Sequence, residues 1–214
     1  MNKVKELFKG WKTVPNFLSF IRIILVPVFG VLFYKGHHAA AVAVLIISGL
    51  TDFADGKIAR RFNQISALGK ILDPVADKIT QLTLAVLLMI EFHASESPIM
   101  RAFSWVFLVF LVKEFIFVAG GALMIGLGMM PGAAEIYGKI ATFVFYVVVI
   151  VLFLFGTDIG LLSQYFALPE IVCGVLVCVS ALMTVIAFIS YIPGIKKTYR
   201  EHKAEKEAQT SVKE

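Results

Sequence analysis

Residues 51–78 read TDFADGKIARRFNQISALGKILDPVADK and contain four aspartates in two pairs. Asp52 and Asp55 are three residues apart, and Asp73 and Asp77 are four apart. Residues with these spacings share one face of a helix, so each pair would present its carboxylates on one side. Four converging carboxylates repel one another in a medium of low dielectric constant, so they need a cation between them. Clustered carboxylate oxygens suit Mg²⁺ or Mn²⁺.

The apolar runs beside the two pairs are too short to cross a membrane alone. Thirteen apolar or small residues, 39–51, precede the first pair, and twelve residues without charge, 79–90, follow the second. A hydrocarbon core of about 30 Å needs about 20 helical residues at about 1.5 Å each. Each helix must therefore be completed by its polar end. This predicts that all four carboxylates lie at similar depth and face a polar cavity, since charges facing lipid are costly.

The composition indicates a membrane protein. Of 214 residues, 59% are hydrophobic and 16% are charged, and the mean hydropathy is +0.86. A soluble domain of this length carries more charge, so the apolar surplus is expected to face lipid. The sequence predicts an all-α, polytopic membrane fold with six transmembrane helices, at about residues 17–35, 38–60, 71–92, 102–128, 136–155 and 170–192.

Two further segments flank the membrane domain that we predict over residues 14–194. Val4, Leu7, Phe8 and Trp11 follow helical spacing among lysines, so residues 1–13 are expected to form an amphipathic helix in the membrane interface. The charged tail, residues 195–214, is expected to be a frayed cytoplasmic helix or disordered. Sixteen of the twenty Lys and Arg residues fall on one side of the predicted spans, which places both termini and the aspartates in the cytoplasm. The positive net charge then reflects orientation in the membrane rather than a nucleic-acid partner.

Small residues and cations accompany the aspartates. Gly56, Ala59 and Gly69 would let a bulky ligand approach the backbone, and Arg60 and Arg61 supply cations for phosphate. Together with a carboxylate-bound metal, this set favours phosphoryl-type transfer with a nucleotide leaving group. The alternative is a charged cytoplasmic loop held by salt bridges, which the short apolar runs disfavour.

The pattern Asp52-x2-Asp55-Gly56-x2-Ala59-Arg60-x8-Gly69-x3-Asp73-x3-Asp77 resembles the complete signature of the CDP-alcohol phosphatidyltransferases. Other segments of the chain resemble the branch of this family that contains bacterial phosphatidylglycerophosphate synthases and cardiolipin synthases. These segments are Val14-Pro15-Asn16-Phe17-Leu18, Leu72-Asp73-Pro74-Val75-Ala76-Asp77-Lys78 and Gly138-Lys139. The resemblance covers most of the chain. It implies a homodimeric, multi-pass enzyme in the inner membrane of a bacterium.

The resemblance also implies roles for individual residues. A pair of Mg²⁺ or Mn²⁺ ions would lie at Asp52, Asp55, Asp73 and Asp77, with Asp77 as the general base. CDP-diacylglycerol would bind at Asp52, Gly56, Ala59, Arg60, Ser66 and Gly69. For Ser66 a second interpretation stays open, in which its side chain caps the helix that follows.

The acceptor alcohol is less defined by the sequence. Arg22, Lys113 and Lys139 are cations within or beside predicted spans and are candidates for a pocket that binds an anionic acceptor. Lys113 could instead simply pair with Glu114 or with a carboxylate of another helix. This set of cations fits a charged acceptor and favours glycerol 3-phosphate, which would give phosphatidylglycerophosphate and CMP. Relatives often carry a further arginine after this Lys-Glu position, and the chain has none there. The missing arginine keeps phosphatidylglycerol as an alternative acceptor, which would make the chain a cardiolipin synthase. A second alternative, from another class of function, is a non-enzymatic metal carrier.

Overall fold

The computed structural model describes residues 13–62, 66, 68–126 and 136–211 of the chain. These residues form seven α-helices and no strand, which confirms the all-α prediction. The predicted interfacial helix over residues 1–13 lies almost wholly outside the described residues. The helices are α1 (Val14–Tyr34), α2 (His38–Arg61), α3 (Gly69–Ala94), α4 (Pro98–Ser104), α5 (Phe107–Gly126), α6 (Ile136–Phe155) and α7 (Glu170–Ser211).

The first helix begins earlier than its apolar run suggests. Thr13 has extended backbone dihedrals, and its side chain accepts a hydrogen bond from the backbone N–H of Asn16 at 3.4 Å. Pro15 occupies the first turn, where its missing N–H costs nothing. The helix ends before Gly36, whose φ of 77° is the left-handed conformation common just after a helix. The predicted start at residue 17 was late because capping, not hydropathy, sets the first turn.

Four helical segments of the described chain are long and apolar enough to cross a membrane, which supports a multi-pass membrane protein. The predicted spans over residues 38–60 and 71–92 are not among them. The apolar part of α2 is only the short segment His38–Thr51, and α3 carries Asp73 and Asp77 in its first turns. The count of six crossings therefore stays a prediction. The four segments are Val14–Tyr34, Pro98–Gly121, Ile136–Phe155 and Glu170–Arg200.

The segment predicted as one helix over residues 102–128 begins earlier and is interrupted. Ser97 caps α4, and the helix is interrupted at Trp105 and Val106 before α5 begins. At this point the hydroxyl of Ser104 donates to the carbonyl of Arg101 at 2.7 Å, and Val106 N bonds to the Phe103 carbonyl three residues back. Such side-chain bonds to the backbone compete with helical ones, which explains the break.

The last helix runs past the predicted end of the membrane domain. α7 has 42 residues and contains Pro193, so the boundary predicted at residue 194 is not a helix end. A single proline removes one backbone donor, which a long helix tolerates. Of the two structures expected for the tail, the helical one is observed as far as Ser211.

The chain divides into two compact units. The first comprises Met1–Glu91 with Ile150–Pro169, and the second Phe92–Val149 with Glu170–Glu214. In the first, the ring of Phe153 packs edge-on against Phe29 and Phe33, with centroids 5.5 and 4.9 Å away. The core of the second has its own aromatic pairs, Phe92–Phe107 and Phe110–Phe145, at 5.3 and 5.0 Å. Each unit thus has a separate aromatic core.

Candidate active site

The first turns of α3 carry two of the four aspartates. Asp73 and Asp77 are one helical turn apart, and both side chains are half-buried. This confirms that the pair shares one helix, as the spacing predicted. Half-burial leaves each carboxylate within reach of a ligand while limiting its contact with solvent.

The start of α3 is fixed by a chain of hydrogen bonds. The backbone N–H of Gly69 donates to the hydroxyl oxygen of Ser66 at 2.9 Å, and that hydroxyl donates to Oδ1 of Asn16 at 2.9 Å. Ser66 therefore has the capping role that was one of its two interpretations. Its proposed contact with the nucleotide stays a prediction.

Gly69 has a packing reason of its own. A Cβ added there would lie 2.5 Å from Asn16 Oδ1 and 3.1 Å from Ser66 Oγ, so no larger residue fits without movement. The Asn16 side chain of α1 occupies the space that a side chain at position 69 would need. The glycine that the sequence analysis assigned to substrate binding thus also joins two helices.

A side chain of α1 contacts Asp73 directly. The hydroxyl of Ser19, which is completely buried, donates a hydrogen bond to Oδ1 of Asp73 and also lies 3.0 Å from the carbonyl oxygen of Pro15. One turn further along α3, the side-chain amide of Gln81 lies 3.3 and 3.5 Å from the two carboxylate oxygens of Asp77. Each described aspartate of the site therefore has a neutral hydrogen-bond donor beside it.

Asn16, Ser19 and Gln81 are site neighbours to which the sequence analysis gave no role. Asn16 appeared there only as part of a resembling segment. A signal for two of them was present, because Asn16, Ser19 and Arg22 recur every three residues in an otherwise apolar helix. Polar residues at that spacing share one face, and within a membrane such a face is expected to pack against other polar groups.

For the predicted site residues on α2, the structure describes only the backbone. α2 is helical through Asp52, Asp55, Gly56, Ala59 and Arg60, as the spacing required, but their side chains lie outside the described part of the structure. Among the described side chains, which exclude Asp52 and Asp55, no three of the types His, Cys, Asp and Glu form a cluster suited to a metal. The four-aspartate metal site therefore stays a prediction.

The three candidate acceptor cations fall in different units. Arg22 is buried on α1 in the first unit, whereas Lys113 and Lys139 belong to the second. Lys113 forms a close ion pair with the buried Glu114, which supports the structural interpretation of this lysine. Lys139 is exposed near the start of α6. A shared pocket for the three stays a prediction.

Comparisons with known proteins support the sequence resemblance. The family model described as CDP-alcohol phosphatidyltransferase matches residues 12–192. The chain is similar to a CDP-diacylglycerol–glycerol-3-phosphate 3-phosphatidyltransferase of Aquifex aeolicus, with 31% identity over 88% of this chain and 99% of the relative. A protein of the same name from Rickettsia typhi is 27% identical over 86% of this chain and 98% of its own length.

A second group of relatives has a different name. A putative cardiolipin synthase of Mycobacterium tuberculosis is 37% identical, over 63% of this chain and 61% of its own length. No solved structure shows significant similarity to the chain. The two groups differ in coverage: the first matches almost from end to end, and the second over a shorter, more similar region.

Proposed function

We propose that this chain, which belongs to the CDP-alcohol phosphatidyltransferase family, transfers the phosphatidyl group of CDP-diacylglycerol to sn-glycerol 3-phosphate, giving phosphatidylglycerophosphate and CMP. Membership makes the chain an enzyme, so the alternative of a non-enzymatic metal carrier is set aside. The observation that carries the choice of acceptor is coverage. Relatives named for glycerol 3-phosphate align over 98% and 99% of their length, and the cardiolipin synthase over 61%.

The described carboxylates suit a divalent cation in their chemistry. Asp73 and Asp77 offer hard oxygen ligands on one helix, and Ser19 orients Asp73 through one of its two oxygens. We infer that Asp52, Asp55 and Asp73 hold Mg²⁺ or Mn²⁺, and that Asp77 lies near the metal but stays free to act as the base. When bound, the metal would stabilise charge on the diphosphate.

The chain's own residues then have separable tasks. Asp77 accepts the proton of the acceptor hydroxyl as that oxygen forms its bond to the phosphorus carrying the diacylglycerol, and the bond from this phosphorus to CMP breaks. Gln81, beside both oxygens of Asp77, orients the base. As the family resemblance implies, Arg60 would bind the phosphates, and Gly56, Ala59, Ser66 and Gly69 would bind the nucleotide. Arg22, Lys113 and Lys139 are proposed to attract the acceptor phosphate.

The environment of the enzyme belongs to the same proposal. The family resemblance favours the inner membrane of a bacterium, and the excess of Lys and Arg on one side supports an orientation with both termini and the aspartates in the cytoplasm. Glycerol 3-phosphate, which is charged and water-soluble, would then reach the site directly from the cytoplasm. The family resemblance supports a homodimer.

Cardiolipin synthesis is the second candidate because of the higher identity, 37%, to the Mycobacterium relative. The deciding experiment uses the purified full-length protein with CDP-diacylglycerol and, separately, glycerol 3-phosphate or phosphatidylglycerol. CMP release and the lipid product are measured. Phosphatidylglycerophosphate from the first acceptor supports the proposal, and cardiolipin from the second alone would replace it.

A further inference from the structure

Helix α1 has a buried polar face, most of which has no role in the proposed reaction. Asn16, Ser19 and Arg22 lie three residues apart and are only 2%, 0% and 2% exposed. The rest of α1 is apolar enough to cross a membrane. Burying polar side chains at that depth is costly unless they make specific interactions. Such a face therefore indicates a defined partner surface.

The partner surface of Asn16 and Ser19 is the beginning of α3. Asn16 contacts Ser66 and Gly69, and Ser19 contacts Asp73. Further along both helices the contacts become apolar, since a Cβ at Gly30 would lie 3.9 Å from Cδ1 of Leu87. The two helices thus run side by side in the same direction, and the polar contacts described between them involve the start of α3.

The hydroxyl of Ser19 has one proton and two neighbouring acceptors. One is the carbonyl oxygen of Pro15 at 3.0 Å, a usual partner for serine in a helix, and the other is the carboxylate of Asp73. A hydrogen bond to an ionised acceptor is about twice as strong as one between neutral groups. Ser19 is fully buried, so water does not compete for the proton. The proton is therefore donated to Asp73.

We propose that Ser19 is a positioning residue that fixes the orientation of the Asp73 carboxylate for the divalent cation. The inference rests on the proposed function, in which Asp73 is a metal ligand. A carboxylate turns freely about its terminal bond unless a second group holds it. By holding Oδ1, Ser19 restricts this rotation of the Asp73 carboxylate. Removing a group that orients a metal ligand typically lowers metal affinity or activity about 10–100-fold.

The test measures Mn²⁺ binding directly, without turnover. Purified full-length protein is titrated with Mn²⁺ alone, and the bound ion is followed by electron paramagnetic resonance. Ser19→Ala is expected to raise the Mn²⁺ dissociation constant about tenfold or more and to lower kcat for CMP release similarly. Ser19→Thr, which keeps the hydroxyl, is expected to restore most of both.

A matched control separates orientation from simple loss of packing. Ser48 on α2 is also a nearly buried serine of the first unit, and it lines a small, mainly apolar crevice with Val26 and Thr80. Ser48→Ala is expected to leave Mn²⁺ binding unchanged and to shift the thermal midpoint about as much as Ser19→Ala does. Should Ser19→Ala not fold, Ser19→Cys carries the test, because a thiol has similar size but donates weakly.

The outcomes distinguish this inference from the proposed function. An unchanged Mn²⁺ dissociation constant in Ser19→Ala, or an equal loss in Ser48→Ala, overturns the role of Ser19 even if glycerol 3-phosphate is the acceptor. Wild-type behaviour of Ser19→Cys overturns it as well. If Mn²⁺ binding weakens as expected but glycerol 3-phosphate is not consumed, the acceptor assignment fails and the role of Ser19 stands.

Discussion

Gly69 lies directly against the side chain of Asn16: a Cβ built on Gly69 would be 2.5 Å from Asn16 Oδ1. The same oxygen accepts a hydrogen bond from the hydroxyl of Ser66, and the oxygen of that hydroxyl accepts a hydrogen bond from the backbone N–H of Gly69. The three residues therefore form one chain of hydrogen bonds between α1 and the start of α3. Any side chain at position 69 must push against an atom that is already held in place.

From this contact we expect Gly69→Ala to destabilise the protein by about 1–3 kcal/mol, the usual cost of forcing a methyl group into a packed site. Thermal unfolding in detergent measures the change. Gly49→Ala on α2 is the control, because a Cβ there meets nothing within 4 Å. Equal stability of the two variants would show that α1 can move away from α3 at little cost.

The metal proposal predicts the behaviour of three aspartates. Asp52→Asn, Asp55→Asn and Asp73→Asn should each abolish CMP release and weaken Mn²⁺ binding, because an amide is a poorer ligand for a hard cation than a carboxylate. Glu96→Gln, an exposed carboxylate in the segment between α3 and α4, is the control and should change neither. A variant that retains wild-type turnover would remove its aspartate from the ligand set.

Asp77 is expected to differ from the other three. Asp77→Asn should lower kcat about 10²–10⁴-fold, the usual contribution of a general base, while Mn²⁺ and CDP-diacylglycerol still bind. The measurement pairs single-turnover CMP release with binding titrations of both ligands. Unchanged turnover, or loss of nucleotide binding together with turnover, would contradict the role of base.

The acceptor pocket predicts a change in one Michaelis constant. Lys139→Ala should raise the KM for glycerol 3-phosphate about tenfold or more, which corresponds to loss of a charged hydrogen bond, and should leave the KM for CDP-diacylglycerol nearly unchanged. Arg101→Ala removes a cation from the opposite side of the predicted topology and serves as the control. Equal effects on both constants would place Lys139 outside the acceptor pocket.

Lys113 needs a different design because it is paired with the buried Glu114. Lys113→Ala alone is expected to destabilise the protein by about 3–5 kcal/mol, since it leaves a buried charge without this partner. The double variant Lys113→Ala with Glu114→Gln should recover stability, as measured by thermal unfolding. If its KM for glycerol 3-phosphate is then normal, Lys113 is structural only.

The sequence by itself determined those features that depend on nearby residues. Hydropathy predicted an all-α membrane protein, the spacing of Asp73 and Asp77 placed them on one helix, and the aspartate signature indicated the family. Each of these follows from periodicity or composition within one segment, which is encoded locally. Local reasoning was less accurate at helix ends, because the cap at Thr13 and the pause at Trp105 depend on hydrogen bonds rather than hydropathy.

Only the tertiary structure decided which polar groups meet. Ser19 and Asp73 are separated by 54 positions, and Asn16 and Ser66 by 50, and no spacing rule links them. Their pairing follows from the way α1 packs beside α3, where Gly69 leaves room for the Asn16 side chain. A polar face on one helix can be recognised in sequence, but its partner is set by the relative position of two helices. That position depends on the packing of many side chains at once, which no short stretch of sequence contains.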